Sequence, residues 1–312
     1  MKTFKSIFFI INLLCVNYIY SDPINEDIKS HKERFIKSIS QDSFKITNAY
    51  YQYPRVISTI ECPDADYIPK VVNAGEIISD ENGEYQVMHN GIKIYKDCYY
   101  CSATNWMTDI IYALRGHHEP QEEKVFYEVL KYISPGSTMI ELGSYWAYYS
   151  LWFANSVKNA KNYMIEPKYE YLLTGMRNFE LNNKEGTFVH GYIGNKYDSD
   201  IKHEVNIPRI HIDQFLASNN INHVHILHAD IQSAEFDMLQ TCKKSISESK
   251  IDFFFISTHT DLLHRKCLKF LKDHGFHIIA EHTPAQSCSC DGLIAAKRSG
   301  LKGPDNVPIT KL

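Results

Sequence analysis

The sequence predicts an α/β protein with a Rossmann-like seven-stranded sheet, preceded by an N-terminal extension that contains a β-hairpin. Short apolar runs alternate with segments of helical periodicity over residues 119–298, which is typical of a parallel sheet covered by helices on both faces. The last two apolar runs have no helical segment between them, so one strand should enter the sheet antiparallel. The only strongly apolar run lies at the N-terminus, which excludes a protein with several membrane spans.

Length and composition agree with a packed protein. The chain has 312 residues, enough for one large domain or two ordinary ones, and 44% of them are hydrophobic while 22% are charged. These values argue against extensive disorder. The formal net charge is −4, which leaves no basic footprint for nucleic acid, so we expect no nucleic-acid partner.

Residues 1–21 have the features of a signal peptide or signal anchor. Lys2 and Lys5 precede an apolar run that is short for a membrane span, and Ser21 ends it before a polar stretch. A buried N-terminal helix is the alternative. We therefore expect the secretory pathway (secreted, lumenal or membrane-anchored), with membrane contact only through this segment. A cytoplasmic location is the alternative.

Seven cysteines lie outside this segment, and they leave the redox compartment open. Their number is odd, so at least one is unpaired within the chain. Cys98, Cys101, Cys288 and Cys290 have the close spacing of a four-thiolate zinc site. Disulfides and free buried thiols are the alternatives.

Residues 22–118 form the predicted extension, which we interpret as a small appendage or lid. A helix is predicted near residues 26–39, and the proline-containing segment that follows it predicts loop up to about residue 80. Residues 85–95 predict a β-hairpin, in which Asn90 and Gly91 form a two-residue type I′ turn.

The elements of the domain at 119–298 follow from periodicity and from helix breakers. Pro120 suits the first turn of a helix that Pro135 and Gly136 end. The predicted strands are residues 138–143, 163–166, 188–193, 223–229, 252–256, 276–280 and 293–297. Further helices are predicted at residues 144–154, 169–182, 233–246 and 262–274, and residues 299–312 form a C-terminal tail. Seven strands with a terminal hairpin are the methyltransferase variant of the doubly wound sheet.

Ligands of such sheets bind beyond the carboxyl ends of the strands. Glu141 ends the first strand and Gly143 opens the turn after it, where a glycine permits close approach by a cofactor. No full G-x-G-x-x-G follows, so a pyrophosphate cradle is not indicated, and an acid suits a positively charged cofactor such as S-adenosylmethionine. Glu166 ends the second strand, where a carboxylate typically accepts the ribose hydroxyls. Two acids at consecutive strand ends favour cofactor contact over separate helix-capping or surface roles.

These segments resemble the FkbM family of S-adenosylmethionine-dependent methyltransferases. The matching segments are residues 141–150 (ELGSYWAYYS), 165–167 (IEP) with 178–182 (NFELN), and 230–235 (DIQSAE). The resemblance covers about residues 119–298. The chain departs from the family pattern at Tyr145, where an Asn is usual, and at Ala147 and Ser233, where a Gly is usual. The cofactor-binding residues that we predict on this basis are Glu141, Gly143, Ser144, Tyr145, Glu166 and Asn178.

The resemblance also implies methylation of a hydroxyl oxygen, on a small-molecule or glycan acceptor. An alcohol is a poor nucleophile, so the site needs a base, a metal ion, or both. We predict that Asp230, at the end of the fourth strand, takes the acceptor proton or binds Mg²⁺ or Mn²⁺, with His259 assisting. A helix N-cap is the alternative role for Asp230, and a surface loop is the alternative setting for His259.

The segment at 116–122 (GHHEPQE) lies outside the general family pattern. His117, His118, Glu119 and Glu122 have side chains that bind metal ions, but the charged N-terminus of a helix explains them equally well.

Two other functions remain as alternatives. An NAD(P)-dependent oxidoreductase shares the acid at the ribose position but needs a glycine-rich turn, which residues 145–149 do not provide. A non-catalytic secreted binding module is supported only by the substitutions at Ala147 and Ser233.

Overall fold

The computed structural model describes residues 27–39, 53–81, 83–98, 106–194 and 207–312. The predicted signal segment and Cys101 lie outside the described residues. None of the helices in the described ranges combines the length and the apolar character needed to cross a bilayer.

The described part of the N-terminal extension contains helices and a small antiparallel sheet. The elements are α1 (Ile28–Ser38), α2 (Tyr53–Glu61), β1 (Ile77–Asp80), β2 (Gly83–Val87), β3 (Lys93–Tyr95) and α3 (Trp106–Ala113). Helix α2 corrects the prediction of loop for this segment. Pro54 lies in its first turn, where a missing N–H breaks no helical hydrogen bond, and Val56 and Ile60 occupy its buried side.

The predicted hairpin is confirmed, but its turn differs from the prediction. Strands β2 and β3 pair antiparallel, with Gln86 opposite Ile94. Met88 N donates to Ile92 O (2.7 Å) and Gly91 N donates to Met88 O (3.0 Å), so the loop has three residues. Within it Gly91 has φ +84°, while the Asn90 side chain accepts from Ile92 N. The connection is therefore a three-residue loop that ends in a glycine bulge, and not a two-residue type I′ turn. Asn90 stabilises it through its side chain, and the positive φ belongs to Gly91.

The predicted seven-stranded sheet is confirmed. Its strands are β4 (Thr138–Leu142), β5 (Lys161–Glu166), β6 (Thr187–His190), β7 (Val224–Ala229), β8 (Ile251–Thr258), β9 (Phe276–His282) and β10 (Gly292–Arg298). They lie in the order β6-β5-β4-β7-β8-β10-β9, and β10 runs antiparallel to both of its neighbours. The chain reverses its direction of travel across the sheet between β4 and β7, so the ligand site of this topology lies at the carboxyl ends of these two strands.

Helices cover both faces of this sheet. They are α4 (Pro120–Leu130), α5 (Tyr148–Ser156), α6 (Tyr169–Leu181), α7 (Ile212–Ser218), α8 (Glu235–Thr241), α9 (Lys243–Ser247) and α10 (Asp261–Asp273). Helix α5 begins four residues later than predicted, because residues 143–147 form an irregular loop. The helix predicted at 233–246 is divided at Cys242 into α8 and α9, and α7 was not predicted.

Alternate residues of the strands supply two hydrophobic cores. On β8, Phe253 and Phe255 face one core while Phe254 and Ile256 face the other. The first core also contains apolar side chains of the extension, namely Phe35, Val56, Ile60, Trp106, Ile110 and Ile111. The described extension therefore packs as a layer on this face of the sheet. The boundary at residue 119 and a role as a lid stay predictions.

Candidate active site

The loop after β4 is held against the loop after β7. Gly143 has φ +71°, and a Cβ atom there would overlap the carbonyl oxygen of Asp230. Asp230 N in turn donates to Leu142 O (3.0 Å). The sequence suggested that a glycine at this position lets a cofactor approach the backbone closely. In the structure, the group that approaches Gly143 is the backbone of Asp230. Gly143 is needed because two strand ends nearly touch.

The departures from the family pattern fall on positions with left-handed backbone. Tyr145 (φ +40°), Ala147 (φ +59°) and Ser233 (φ +81°) all have the conformation that Asn and Gly adopt most readily. The strain at Tyr145 is held by its environment, since its ring is buried and its hydroxyl donates to Cys98 O. The loop therefore keeps the conformation that a glycine-containing segment would have. This removes the only support for the binding-module alternative.

Glu166 lies at the end of β5 with its carboxylate turned toward this loop. One oxygen accepts from Tyr145 N (3.1 Å) and the other from Lys168 N (2.9 Å). Burial raises the pKa of Glu166 to about 7, although these two N–H groups favour the charged form. Each carboxylate oxygen retains a lone pair, so the group can still accept the hydroxyls of a ribose.

Glu141 has the helix-capping role that the sequence left as the alternative. Its Oε2 accepts from Ser150 N (3.1 Å) in the first turn of α5, and the side chain is buried. Burial raises the pKa of Glu141, so its proton is held more tightly than in an exposed glutamate. Ser144 lies beside this turn, and its buried hydroxyl oxygen has no hydrogen-bond partner among the described residues.

Asn178 connects α6 to the hairpin and to the loop after β4. Its Oδ1 accepts from Tyr95 N (3.1 Å), its Nδ2 donates to Trp146 O (3.0 Å), and the side chain is fully buried. The amide is therefore occupied by protein groups. In this conformation it supports the loop, and its role in binding the cofactor stays a prediction.

Asp230 and His259, predicted to act together, are in contact. His259 Nε2 lies 3.2 Å from Asp230 Oδ1, and its Nδ1 lies 3.2 Å from an oxygen of the fully buried Glu235. Burial lowers the pKa of His259, but the two carboxylates outweigh this effect and raise it to about 11. The ring is therefore an imidazolium at neutral pH. The side chain of Asp230 is 38% exposed, which makes it more accessible than His259 or the fully buried Glu235.

The capping role proposed as an alternative for Asp230 is wrong. Helix α8 begins at Glu235, and its N-cap residue is Ala234. It is Glu235 that accepts from Ile231 N (3.2 Å) and Ser233 N (3.3 Å), which fixes the loop after β7.

Sequence reasoning missed Asp291, which completes the cluster. Its Oδ1 lies 3.6 Å from His259 Nε2, and burial raises the pKa of Asp291 to about 6. It lies in the irregular segment between β9 and β10, where no periodicity marks a residue as facing the site. The only available signal was its position immediately before the glycine that opens the last strand.

The segment at 116–122 forms a buried network, but its candidate ligands do not converge on one point. Glu122 contacts His228 of β7 (2.8 Å), whereas His117 donates to Glu123. Glu123 also accepts from two backbone N–H groups and from Tyr148, so its oxygens are satisfied by the protein. Burial raises the pKa of Glu123, but His117 and the other donors outweigh it and hold the pKa well below the usual value. The network joins the start of α4 to the carboxyl ends of the central strands.

Comparison with known proteins assigns the chain to a family. Residues 119–278, about half of the chain, match the family model described as the methyltransferase FkbM domain. The chain belongs to the FkbM methyltransferase family. It is therefore an S-adenosylmethionine-dependent methyltransferase, and the oxidoreductase alternative is wrong. No curated protein sequence matches the chain.

Solved structures similar to this FkbM methyltransferase include other methyltransferases. TrmK of M. capricolum, in complex with S-adenosylhomocysteine, is 14% identical, with a TM-score of 0.37 over 59% of this chain and 70% of that chain. A precorrin-6y C5,15-methyltransferase of Geobacter metallireducens is 12% identical, with a TM-score of 0.39 over 57% of this chain and 87% of that chain. A ribosomal protein L11 methylase of Lactobacillus delbrueckii subsp. bulgaricus is 12% identical, with a TM-score of 0.38 over 59% and 81%.

The residues at the strand ends of this FkbM methyltransferase fit its cofactor. Glu166 has acceptor capacity for a ribose, and the unpartnered Ser144 hydroxyl offers a buried polar contact next to it in the fold. Asp230, which follows β7 at the switch point, adds an exposed carboxylate, which suits a sulfonium and an ammonium.

Proposed function

We propose that the chain transfers the methyl group of S-adenosylmethionine to a hydroxyl of a small-molecule or glycan acceptor, namely a sugar. The observation that carries this proposal is the cluster of Asp230, Glu235, His259 and Asp291 beside the switch point. A hydroxyl must lose its proton as it is methylated, and this cluster supplies a reachable carboxylate at that place.

The side chains of the cluster have different roles in this reaction. The cofactor supplies an electrophilic methyl group on its sulfonium. Asp230 accepts the acceptor proton, because it is the most exposed carboxylate of the cluster. His259 is held by Glu235 as a cation; it orients Asp230, and its charge stabilises the negative charge that develops on the acceptor oxygen. Placing the hydroxyl and the methyl group in line contributes much of the rate.

A divalent cation is the second version of this proposal. Asp230, Glu235 and His259 each offer one ligand atom, and these atoms lie within 4.8 Å of one another. Oxygen ligands of this kind suit Mg²⁺ or Mn²⁺, which would lower the pKa of a bound hydroxyl. Such an ion would have to displace the proton of His259. Activity that is lost with a chelator and restored by Mg²⁺ or Mn²⁺ supports this version, whereas indifference to the chelator supports acid–base chemistry.

The test of the whole proposal has two stages. Calorimetry with S-adenosylhomocysteine on the folded protein should show binding, and absence of binding at millimolar ligand would contradict the assignment of the cofactor site. A screen of sugars, glycans and transfer RNA with isotopically labelled cofactor should then place the label on a sugar hydroxyl. Label on a nitrogen atom or on RNA would overturn the proposed acceptor.

The proposed location is the secretory pathway, and it rests on residues 1–21. A lumen with imported cofactor, or a membrane-tethered enzyme, reconciles export with a cofactor that is made in the cytosol. Sequencing the N-terminus of the mature protein tests this. A start at Asp22 indicates cleavage, whereas an intact Met1 in a cytosolic fraction contradicts export.

A further inference from the structure

Two buried cysteines lie close to each other where the N-terminal extension meets the segment between β9 and β10. Cys62 directly follows α2, and Cys288 is 226 residues further along the chain. Both are free thiols in this structure and both are buried. The two thiols affect each other's protonation: the pKa of Cys62 is raised by Cys288, and the pKa of Cys288 is lowered by Cys62.

Hydrogen bonds fix the backbone at both cysteines. Ser58 Oγ and Thr59 Oγ1, in the last turns of α2, donate to Cys288 O at 2.6 and 3.0 Å. Gln121 of α4 accepts from Cys288 N (2.7 Å), and Lys32 of α1 donates to Cys62 O (2.8 Å). These bonds hold the Cys288 backbone against the last turn of α2, which Cys62 directly follows, and a disulfide requires that two chain segments approach each other in this way.

The other described cysteines have different surroundings. Cys98 contacts Asn178, Cys242 contacts Met238 within α8, Cys267 is buried in α10, and Cys290 is exposed. Among the residues that the structure describes, Cys62 and Cys288 are the cysteines whose thiols affect each other's pKa. The close sequence spacing of Cys288 and Cys290 is therefore not the pairing that the fold favours.

We infer that Cys62 and Cys288 form a disulfide that fastens the β9–β10 segment to α2 when the chain folds in the presence of a disulfide oxidant. The oxidant is a small-molecule disulfide or a disulfide oxidoreductase. The Cys288 thiolate attacks one of its sulfurs, giving a mixed disulfide and one released thiol. Cys62 then attacks Cys288, which forms the protein disulfide and releases the second thiol. The two cysteines lose two electrons and two protons, and the oxidant gains them.

The proximity of the two thiols also makes Cys288 the reactive partner. Cys62 lowers the pKa of Cys288, so that the thiolate forms more readily than in an isolated buried cysteine. Cys62 retains its proton until the mixed disulfide has formed, because Cys288 raises its pKa.

Fastening this segment has a direct consequence for the cluster around His259. Asp291 lies three residues after Cys288 and contacts His259. A link at Cys288 restricts the segment on one side of Asp291, and β10 restricts it on the other. The disulfide is independent of the acceptor, so the inference stands or falls separately from the proposed function.

The test maps the thiols of the full chain after folding in a glutathione redox buffer. Free thiols are alkylated with N-ethylmaleimide under denaturing conditions, and the chain is digested without reduction for mass spectrometry. We expect a linked peptide pair containing Cys62 and Cys288, with Cys267 and Cys290 alkylated. Recovery of Cys62 and Cys288 in alkylated form, or linkage of either to another cysteine, would overturn the inference.

Thermal unfolding gives a second readout. Because the link closes a very long loop, reduction should lower the Tm by about 5 °C or more. Cys62→Ser and Cys288→Ser should each remove this response to reductant. The matched control is Cys290→Ser, two positions from Cys288, which should leave it intact. The mapping uses the unmodified chain, so its outcome is decisive even when a serine variant does not fold.

Discussion

Burial has a strong effect on the protonation of Glu166, the residue that we predict to accept the hydroxyls of the cofactor ribose. Its two bonds to backbone N–H groups favour the carboxylate, yet loss of solvent is the larger effect and brings the pKa to about 7. A carboxylate accepts hydroxyl hydrogen bonds better than a carboxylic acid does. Occupancy of the cofactor site should therefore change within the neutral pH range.

We expect the affinity for S-adenosylhomocysteine to fall by up to about tenfold between pH 8 and pH 6, as Glu166 becomes protonated. Calorimetry across this range measures it. Glu166→Gln should bind weakly at every pH and lose the pH dependence. In the absence of ligand the sign is opposite, because the raised pKa makes the folded state lose stability as the pH rises from 4.5 to about 7. An affinity of the unmodified protein that does not vary with pH would contradict this assignment.

Asp230 and His259 allow a second test at single residues. Asp230→Asn preserves shape but removes the charge next to His259, so turnover should fall on the order of a hundredfold or more. Affinity for S-adenosylhomocysteine should change little. The control is Asp273→Asn, an exposed carboxylate at the end of α10, which should have normal turnover. Near-normal turnover of Asp230→Asn would indicate that another group of the cluster accepts the proton.

At the scale of elements, the site depends on how closely β4 and β7 end beside each other. Gly143 allows the two strand ends to approach each other. Glu141, on β4, caps the first turn of α5, and Glu235 orders the loop after β7. The element boundaries near the site were the least predictable part of the sequence. The helix predicted from residue 144 begins at Tyr148, because residues 145 and 147 adopt left-handed backbone that propensity does not reveal.

Gly143→Ala should destabilise the fold by at least about 3 kcal/mol, since both the φ and the overlap with the Asp230 backbone are unfavourable. Gly136→Ala is the matched control, because Gly136 has φ +80° but no atom within 4 Å of the added Cβ. Gly136→Ala should lower the free energy of unfolding by only about 1 kcal/mol, because its one unfavourable feature is an alanine in the left-handed conformation. Chemical denaturation of both variants separates the effect of the left-handed φ from the effect of the overlap with Asp230. An equal loss of unfolding free energy in both variants would show that the backbone near Gly143 shifts to relieve the overlap.

At the scale of the whole molecule, the extension and the family domain share one hydrophobic core. Ile60 of α2 is fully buried in the same core as Phe126, Trp152 and Phe255. The family match begins at residue 119, yet the face of the sheet that carries α4 and α5 is also packed against elements that precede this residue.

Ile60→Ala should therefore lower the free energy of unfolding of the whole protein by about 2–5 kcal/mol, as a cavity in a shared core does. Val72→Ala is the control from the same extension, because its side chain is 66% exposed and its loss should be within about 0.5 kcal/mol. A single denaturation transition is expected in both cases. A separate, earlier transition in Ile60→Ala would show that the extension unfolds independently.

The sequence by itself determined the strand and helix alternation, the antiparallel last strand, and the acids that end β4, β5 and β7. These features are local, because apolar periodicity and residue type at a strand end depend on a few neighbouring positions. The tertiary structure alone decided that Asp291 joins His259, that Glu141 caps a helix, that Asn178 supports a loop, and that Cys288 packs against the end of α2. Each of these contacts joins residues that are distant along the chain or lie in irregular segments. Their meeting depends on strand order and on loop conformation, which periodicity does not encode.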